Sequence, residues 1–314
     1  MIPVGEIVAA STVVARRLPR TPLFRAEDLG ARVFLKGELF QRTGSFKPRG
    51  VLNRLARLSP EERRRGVITT SAGNLAAALA YGSALEALDC LVVMWRGASE
   101  HKIAAVRRYG AAVDLESGTA AEAFARMGEL QRETGRLLVH PWDDPFVLAG
   151  HGTVGLEIVE DRPDVEAVVV PVGGGGLVAG LASAVKALRP DATVVAVEPE
   201  RAAGLHAALA AGQPVPVSPS SIADGLNAPF VGERCLAICR EIVDDAVLVS
   251  EDEIRAGFRF LYDRAKLAPE PAGAVAAAAL LAGKVPDLEE RTTVAVVSGG
   301  NVAPETASAI LGEG

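Results

Sequence analysis

Cysteine is scarce. The 314 residues hold three, Cys90, Cys235 and Cys239. An odd number without Cys-x-x-Cys spacing argues against a disulfide framework or a thiolate zinc site. The three read as small buried residues of a protein kept in a reducing cytosol. Positive charge is also lacking. Lys and Arg total 33 against 39 Asp and Glu, a net charge of −6, so no overall field draws the chain to nucleic acid or anionic membrane. The one basic run, Arg63-Arg64-Arg65, is too short for a nucleic-acid patch and reads as a solvated helix end. No apolar run is long and unbroken. One long uncharged stretch, Ala167 to Val185, is interrupted by Pro171 and by glycines at 173–176, so it reads as a buried strand, a loop and a helix rather than a membrane span. The N-terminus has no basic segment and carries the early acid Glu6, which makes it a poor signal peptide.

What remains has the composition of a globular enzyme-sized chain, with 49% hydrophobic and 23% charged residues. Strand-like and helix-like segments alternate almost throughout. Val33–Leu35, Gly66–Thr70, Cys90–Met94, Ala167–Val172, Thr193–Val197, Val247–Val249 and Thr293–Val297 are short, apolar and β-branched, as expected of strands covered on both faces. Helical patterns lie between them over Phe46–Leu58, Gly73–Leu88 and Ser99–Tyr109. Ser59-x-x-Glu62, Thr119-x-x-Glu122 and Ser250-x-x-Glu253 match the capping box. Gln213–Ser221, rich in Pro and Ser, reads as an irregular loop. The alternation implies an α/β protein with largely parallel sheets. Residues 66–142 form a candidate small domain, and 1–65 with 143–314 a larger one.

Three strand-to-helix loops carry the chemistry. In Ser45-Phe46-Lys47-Pro48-Arg49-Gly50, Ser45 fits a helix cap and Lys47 stands at the positive helix end, where an amine pKa can fall. A lysine so placed is a candidate Schiff-base former. In Ser71-Ala72-Gly73-Asn74, free helix N–H groups and two polar side chains could cradle a carboxylate. In Gly173-Gly174-Gly175-Gly176, backbone without Cβ atoms can wrap a phosphate. The last loop, read with Leu177-Val178-Ala179 and with Glu198 at the end of the next strand, also fits a dinucleotide fingerprint. A nicotinamide-dependent oxidoreductase is therefore a rival on that segment, but it leaves the other two loops unexplained.

Together with Ser298-Gly299-Gly300-Asn301, these loops resemble fold-type II pyridoxal-phosphate enzymes, in the threonine/serine dehydratase and serine racemase branch. His140–Pro145, Ala149–Thr153, Ile222–Gly225 and Glu270–Gly273 keep the family's order and spacing over nearly the whole chain. The resemblance implies a tryptophan synthase beta-like fold of two three-layer domains, with pyridoxal 5'-phosphate between them and a small domain that moves. It implies a homodimer acting on a small β-hydroxy amino acid, and the unpaired cysteines add the expectation that it is cytoplasmic. It implies that Lys47 holds the cofactor as a Schiff base and removes the Cα proton. Gly173, Gly174, Gly175 and Gly176 would bind the phosphate, Asn74 the ring hydroxyl, and Ser298 would face the ring nitrogen. Phe46 would pack near the ring, and Ser71, Ala72, Gly73 and Asn74 would hold the substrate carboxylate. A neutral Ser298 makes the ring a weaker electron sink than a carboxylate would, which favours prompt loss of a β-leaving group. The implied reaction is β-elimination from L-threonine or L-serine to a 2-oxo acid and ammonia.

Departures from the family pattern bear on the alternatives. Racemases carry a second serine where this chain has Ala72, and alanine donates no proton, so a serine racemase-like isomerase is the lesser expectation. Leu75 and His151 replace a histidine and a glutamine found in many relatives, which leaves room for another 3-hydroxy amino acid as substrate. Gly204 supplies no carboxylate at the position where some relatives bind a divalent cation with the acid matching Glu198, so no metal site is expected. Few residues follow Asn301, so feedback control by isoleucine through a regulatory domain is not expected either.

Overall fold

The computed structural model describes residues 1–286 and 290–312. The described residues form two sheets. The larger has the strand order β1-β2-β10-β7-β8-β9, formed by Leu23–Arg25 (β1), Val33–Gly37 (β2), Ala167–Pro171 (β7), Thr193–Pro199 (β8), Asp245–Val249 (β9) and Thr293–Val297 (β10). Only β1 runs antiparallel to its neighbour; the other pairings are parallel. The smaller sheet has the order β5-β4-β3-β6, from Val67–Thr70 (β3), Cys90–Trp95 (β4), Ala112–Ser117 (β5) and Leu137–Leu138 (β6), all parallel.

The uniform apolar character of β7 has a direct cause. Val168 and Val170 face a core shared with the helices Val4–Ala15, Pro145–Asp161 and Gly176–Leu188, while Val169 faces one shared with Glu251–Asp263 and Pro271–Leu281. Ala196 and Val197 of β8, and Val294 and Ala295 of β10, split the same way. A strand buried on both faces loses the alternation of a half-exposed one. The small sheet is likewise sandwiched. Val67 and Val92 pack against Leu79 and Ile103, and Ile68 and Val93 pack against Ala123 and Met127. Val51 and Leu55, from the helix that begins at Lys47, also belong to the small-sheet core. That helix therefore lies between the two sheets, where the loops at the C-terminal ends of their strands converge.

Several local expectations are revised. The helix after Phe46 spans Lys47–Leu55, stopping short of Leu58, because Ser59 opens a new capped helix. Ser45 is not a helix cap. Its backbone is extended, it forms an antiparallel bridge with Gly299, and its buried hydroxyl has no partner among the described residues. The full capping box forms at Ser59 and Ser250 but only half of it at Thr119, since Glu122 turns to the Gly118 amide. Among the described residues no helix is long and apolar enough to cross a membrane.

Candidate active site

Lys47 is the first residue of its helix, following Phe46. Its Nζ donates to the Pro141 carbonyl at 3.0 Å and lies 5.0 Å from the centre of the Phe46 ring. Burial pushes the ammonium pKa down from 10.5 to about 8, with Cys235 and Glu270 offsetting part of the fall. The cause is desolvation rather than the helix end invoked from sequence. Phe46 is held in turn by His151, 4.8 Å away edge-on. The His151 imidazole is fully buried, neither ring nitrogen makes a well-directed hydrogen bond among the described residues, and burial beside Lys47 drives its pKa well below the usual value.

The glycine loop stands beside this lysine. Trp142 follows Pro141, and a Cβ on Gly174 would collide with the Trp142 indole. One on Gly176 would lie 2.9 Å from the Trp142 Cβ, and one on Gly175 2.8 Å from the Cys235 Cβ. Gly175 also has a φ of +90°, in the left-handed region where a side chain is strained. Glycine at these positions lets Trp142 and Cys235 pack directly on the loop backbone. Among the described residues, the main-chain N–H groups of Gly173, Gly174, Gly175 and Gly176 have no acceptor. The Trp142 indole nitrogen is a further buried donor without a partner. Such groups fit a multiply charged oxyanion at the start of the helix Gly176–Leu188.

The second loop is built alike. Ser71 Oγ accepts from the Gly73 amide at 3.1 Å, Gly73 precedes the helix Asn74–Leu85, and Ala72 lies between them, half-buried. Among the described residues, the amides of Ala72, Asn74 and Leu75 have no acceptor. The Ser298 carbonyl accepts from the Phe46 amide at 3.2 Å, which fixes Ser298 beside Lys47. Its buried hydroxyl has only a long contact of 3.5 Å to the Ala272 carbonyl. Buried oxygens with weak or missing partners, on Ser298, Ser45 and Thr43, line the same region. Thr43 adopts a φ of +63°, unusual for a β-branched residue and the kind of strain that collects at functional sites.

Two residues here escaped the motif reading as individual groups. Glu270, quoted only within a matching stretch, is buried, and its Oε1 accepts from Asn74 Nδ2 at 2.6 Å. Burial and the neighbouring Asp224 push its pKa up to about 8, against the smaller opposing effect of the Asn74 hydrogen bond. Asn301 Nδ2 donates to Asn74 Oδ1 at 2.7 Å and to the Thr43 carbonyl at 2.6 Å. Glu198 stands apart from this group. Its carboxylate is fully buried and accepts from the Leu205 and His206 amides at 2.7 and 2.8 Å, capping the helix Gly204–Ala211. It is not free to bind a ribose, so the dinucleotide reading loses its acidic partner. Among the described residues no group of three His, Cys, Asp or Glu side chains is placed to hold a metal ion.

The pattern of the pyridoxal-phosphate dependent enzyme family matches residues 14–299. The chain belongs to this family. It is 41% identical to the catabolic L-threonine dehydratase of Escherichia coli, over 99% of this chain and 96% of that one. It is 40% identical to the L-threonine ammonia-lyase of Thermotoga maritima, over 100% of this chain and 79% of that one. Among solved structures, maize serine racemase matches with a TM-score of 0.92 at 33% identity, over 98% of this chain and 96% of that one. A threonine deaminase from Solanum lycopersicum matches with a TM-score of 0.92 at 36% identity, over 99% and 88%. These likenesses carry the fold-type II assignment and pyridoxal phosphate as cofactor, and they remove the nicotinamide alternative. The cradle and the buried amine fit that cofactor, an aldehyde that bears a phosphate.

Proposed function

We propose that this chain is an ammonia-lyase that converts L-threonine and L-serine to a 2-oxo acid and ammonia by β-elimination. Bound in the cleft, pyridoxal phosphate supplies an electron sink for the bonds at Cα. The protein's own residues do the rest. Lys47, with a pKa drawn down to about 8, is the amine that would hold the cofactor through its aldehyde, because a substantial fraction of it is neutral. The same amine would take the Cα proton of the substrate as a general base. The amides of Gly173–Gly176 would hold the phosphate, and the Asn74 amide would meet the ring hydroxyl. Ser298 would offer a neutral hydroxyl to the ring nitrogen, and Phe46 would pack beside the ring. Ser71 and the amides of the loop through Gly73 hold the substrate carboxylate, so that Cα is presented to Lys47. The β-hydroxyl would leave with a proton as water, and water would then hydrolyse the released enamine to the 2-oxo acid and ammonia.

The observation that carries this reading is the meeting of one desolvated amine, bonded to the Pro141 carbonyl, and four glycine amides unpartnered among the described residues, with Cys235 beside both and Trp142 against the glycines. Ala72 supports elimination over racemisation, because it supplies no acid on the opposite face of Cα. We further propose that residues 66–142 close over substrate as a unit against 1–65 and 143–314, and that the enzyme works as a cytoplasmic homodimer. The decisive assay is 2-oxo acid release from L-threonine and L-serine, beside a panel of other 3-hydroxy amino acids. Release from threonine or serine that disappears in Lys47→Ala supports the proposal. Turnover confined to another 3-hydroxy acid moves the substrate assignment, and release unchanged in Lys47→Ala contradicts the site.

A further inference from the structure

We infer that Glu270 is a positioning residue that, with Asn301, clamps the Asn74 side-chain amide so that its second Nδ2 hydrogen is kept for a bound acceptor. On the reading proposed above, that acceptor is the ring hydroxyl of the cofactor, and the inference rests on that reading.

The orientation of the amide follows from a main-chain anchor. A carbonyl oxygen can only accept, so the Asn301 atom 2.6 Å from the Thr43 carbonyl must be Nδ2. The same Nδ2 lies 2.7 Å from Asn74, so the Asn74 atom facing it is the acceptor Oδ1. Nδ2 of Asn74 is thereby turned to Glu270, whose Oε1 accepts at 2.6 Å. Both Asn301 hydrogens are then used, and so are one Asn74 hydrogen and its oxygen. One Asn74 hydrogen is left, with no acceptor among the described residues. An amide tied at both ends cannot flip, so this last donor has a fixed direction.

Glu270 reaches Asn74 because the backbone around it is bare. A Cβ on Gly299 would collide with Glu270 Oε1, and one on Gly225 would sit 3.7 Å from it. The Glu270 amide donates to the Gly299 carbonyl at 3.0 Å, which pins the residue at the start of the helix Pro271–Leu281. The clamp also spans the cleft. Asn74 belongs to the small-sheet side, whereas Glu270, Asn301 and Thr43 belong to loops around the large sheet. No other described acceptor holds Asn74 Nδ2, so loss of Glu270 leaves that end of the amide free to turn.

The test is a double-mutant cycle on the protein loaded with pyridoxal phosphate. It reads cofactor affinity and the ratio of the near-visible absorption band to its ultraviolet companion. Asn74→Ala and Glu270→Ala should each weaken cofactor retention about five- to tenfold, the worth of one hydrogen bond, and shift the band ratio in the same direction. In the Asn74→Ala background, Glu270→Ala should add almost nothing. Glu270→Gln keeps an acceptor and should restore the ratio to near that of the unmodified protein. Glu270→Met, similar in size but with no acceptor for the amide, replaces the alanine variant should that one fail to fold. Glu270 variants that leave both readouts unchanged overturn the inference. So does a Glu270 effect of full size in the Asn74→Ala background. An unmodified protein without a near-visible band, or with a band that survives Lys47→Ala, brings down the underlying reading instead.

Discussion

Lys47 Nζ donates to the main-chain carbonyl of Pro141 at 3.0 Å. The contact ties the helix that opens at Lys47 to the segment that turns past the glycine loop, and it holds the amine in a desolvated place. A solvated lysine with a pKa of 10.5 is almost wholly protonated near neutrality, whereas one at about 8 is not. With cofactor stripped, the rate of pyridoxal phosphate uptake at limiting concentration should rise with pH and level off above about 8. The sign follows from chemistry, since only the neutral amine attacks an aldehyde and a lowered pKa supplies it at lower pH. Stopped-flow absorbance across a pH series measures the midpoint. A midpoint near 10.5 would show an ordinary solvated amine.

Ala72 lies between Ser71 and Gly73, half-buried, in the loop proposed to hold the substrate carboxylate. Ala72→Ser adds a hydroxyl that can exchange a proton. The variant should gain D-serine formation from L-serine while 2-oxo acid release persists. Chiral chromatography beside a keto-acid assay measures both. A parent enzyme that already makes D-serine at a comparable rate would reverse the preference for elimination.

Arg49, two residues beyond Lys47, is fully buried. It donates to Glu38 at 2.8 Å and to Glu157 at 2.7 and 2.9 Å. Lys36 joins the group through Glu157 at 2.7 Å. Arg49→Ala leaves the buried Glu38 without its charge partner and should cost about 3–5 kcal/mol. Urea denaturation measures it, and a loss below about 1 kcal/mol would show that the network relaxes around the gap.

Glu198 spends its oxygens on the Leu205 and His206 amides, and Gly204 brings no carboxylate. A hard divalent cation needs several oxygen ligands. Activity after chelation should therefore respond little to added magnesium. Strong, saturable activation would place a cation at this turn after all.

Much of the large sheet is legible in the sequence, because Ala167–Pro171 and Thr293–Val297 are apolar at every position but Thr293. The reason is physical, since burial on both faces demands it. The strands that escape notice are short or mixed. Leu137–Leu138 has only two residues, and Ala112–Ser117 carries Asp114 and Glu116 on a partly exposed edge. The three chemical loops stand out because glycine, serine and lysine at strand-to-helix junctions are locally meaningful. What local sequence cannot express is contact between distant segments. Ser45 fits a cap in its own context, yet Gly299 recruits it into a bridge. Glu270 looks like a surface acid before a proline, and only the glycines packed around it make room for its carboxyl inside the cleft. His151 falls in a recognisable stretch, but its burial behind Phe46 follows from packing alone.

The most direct measurement is the mass of the residue that carries the cofactor. The holoenzyme is reduced with borohydride, digested, and its peptides are sequenced by mass spectrometry. The account predicts a single phosphopyridoxyl adduct on Lys47, with the near-visible band abolished by the reduction. An adduct on any other lysine, or none at all in a protein that turns over threonine or serine, would contradict it.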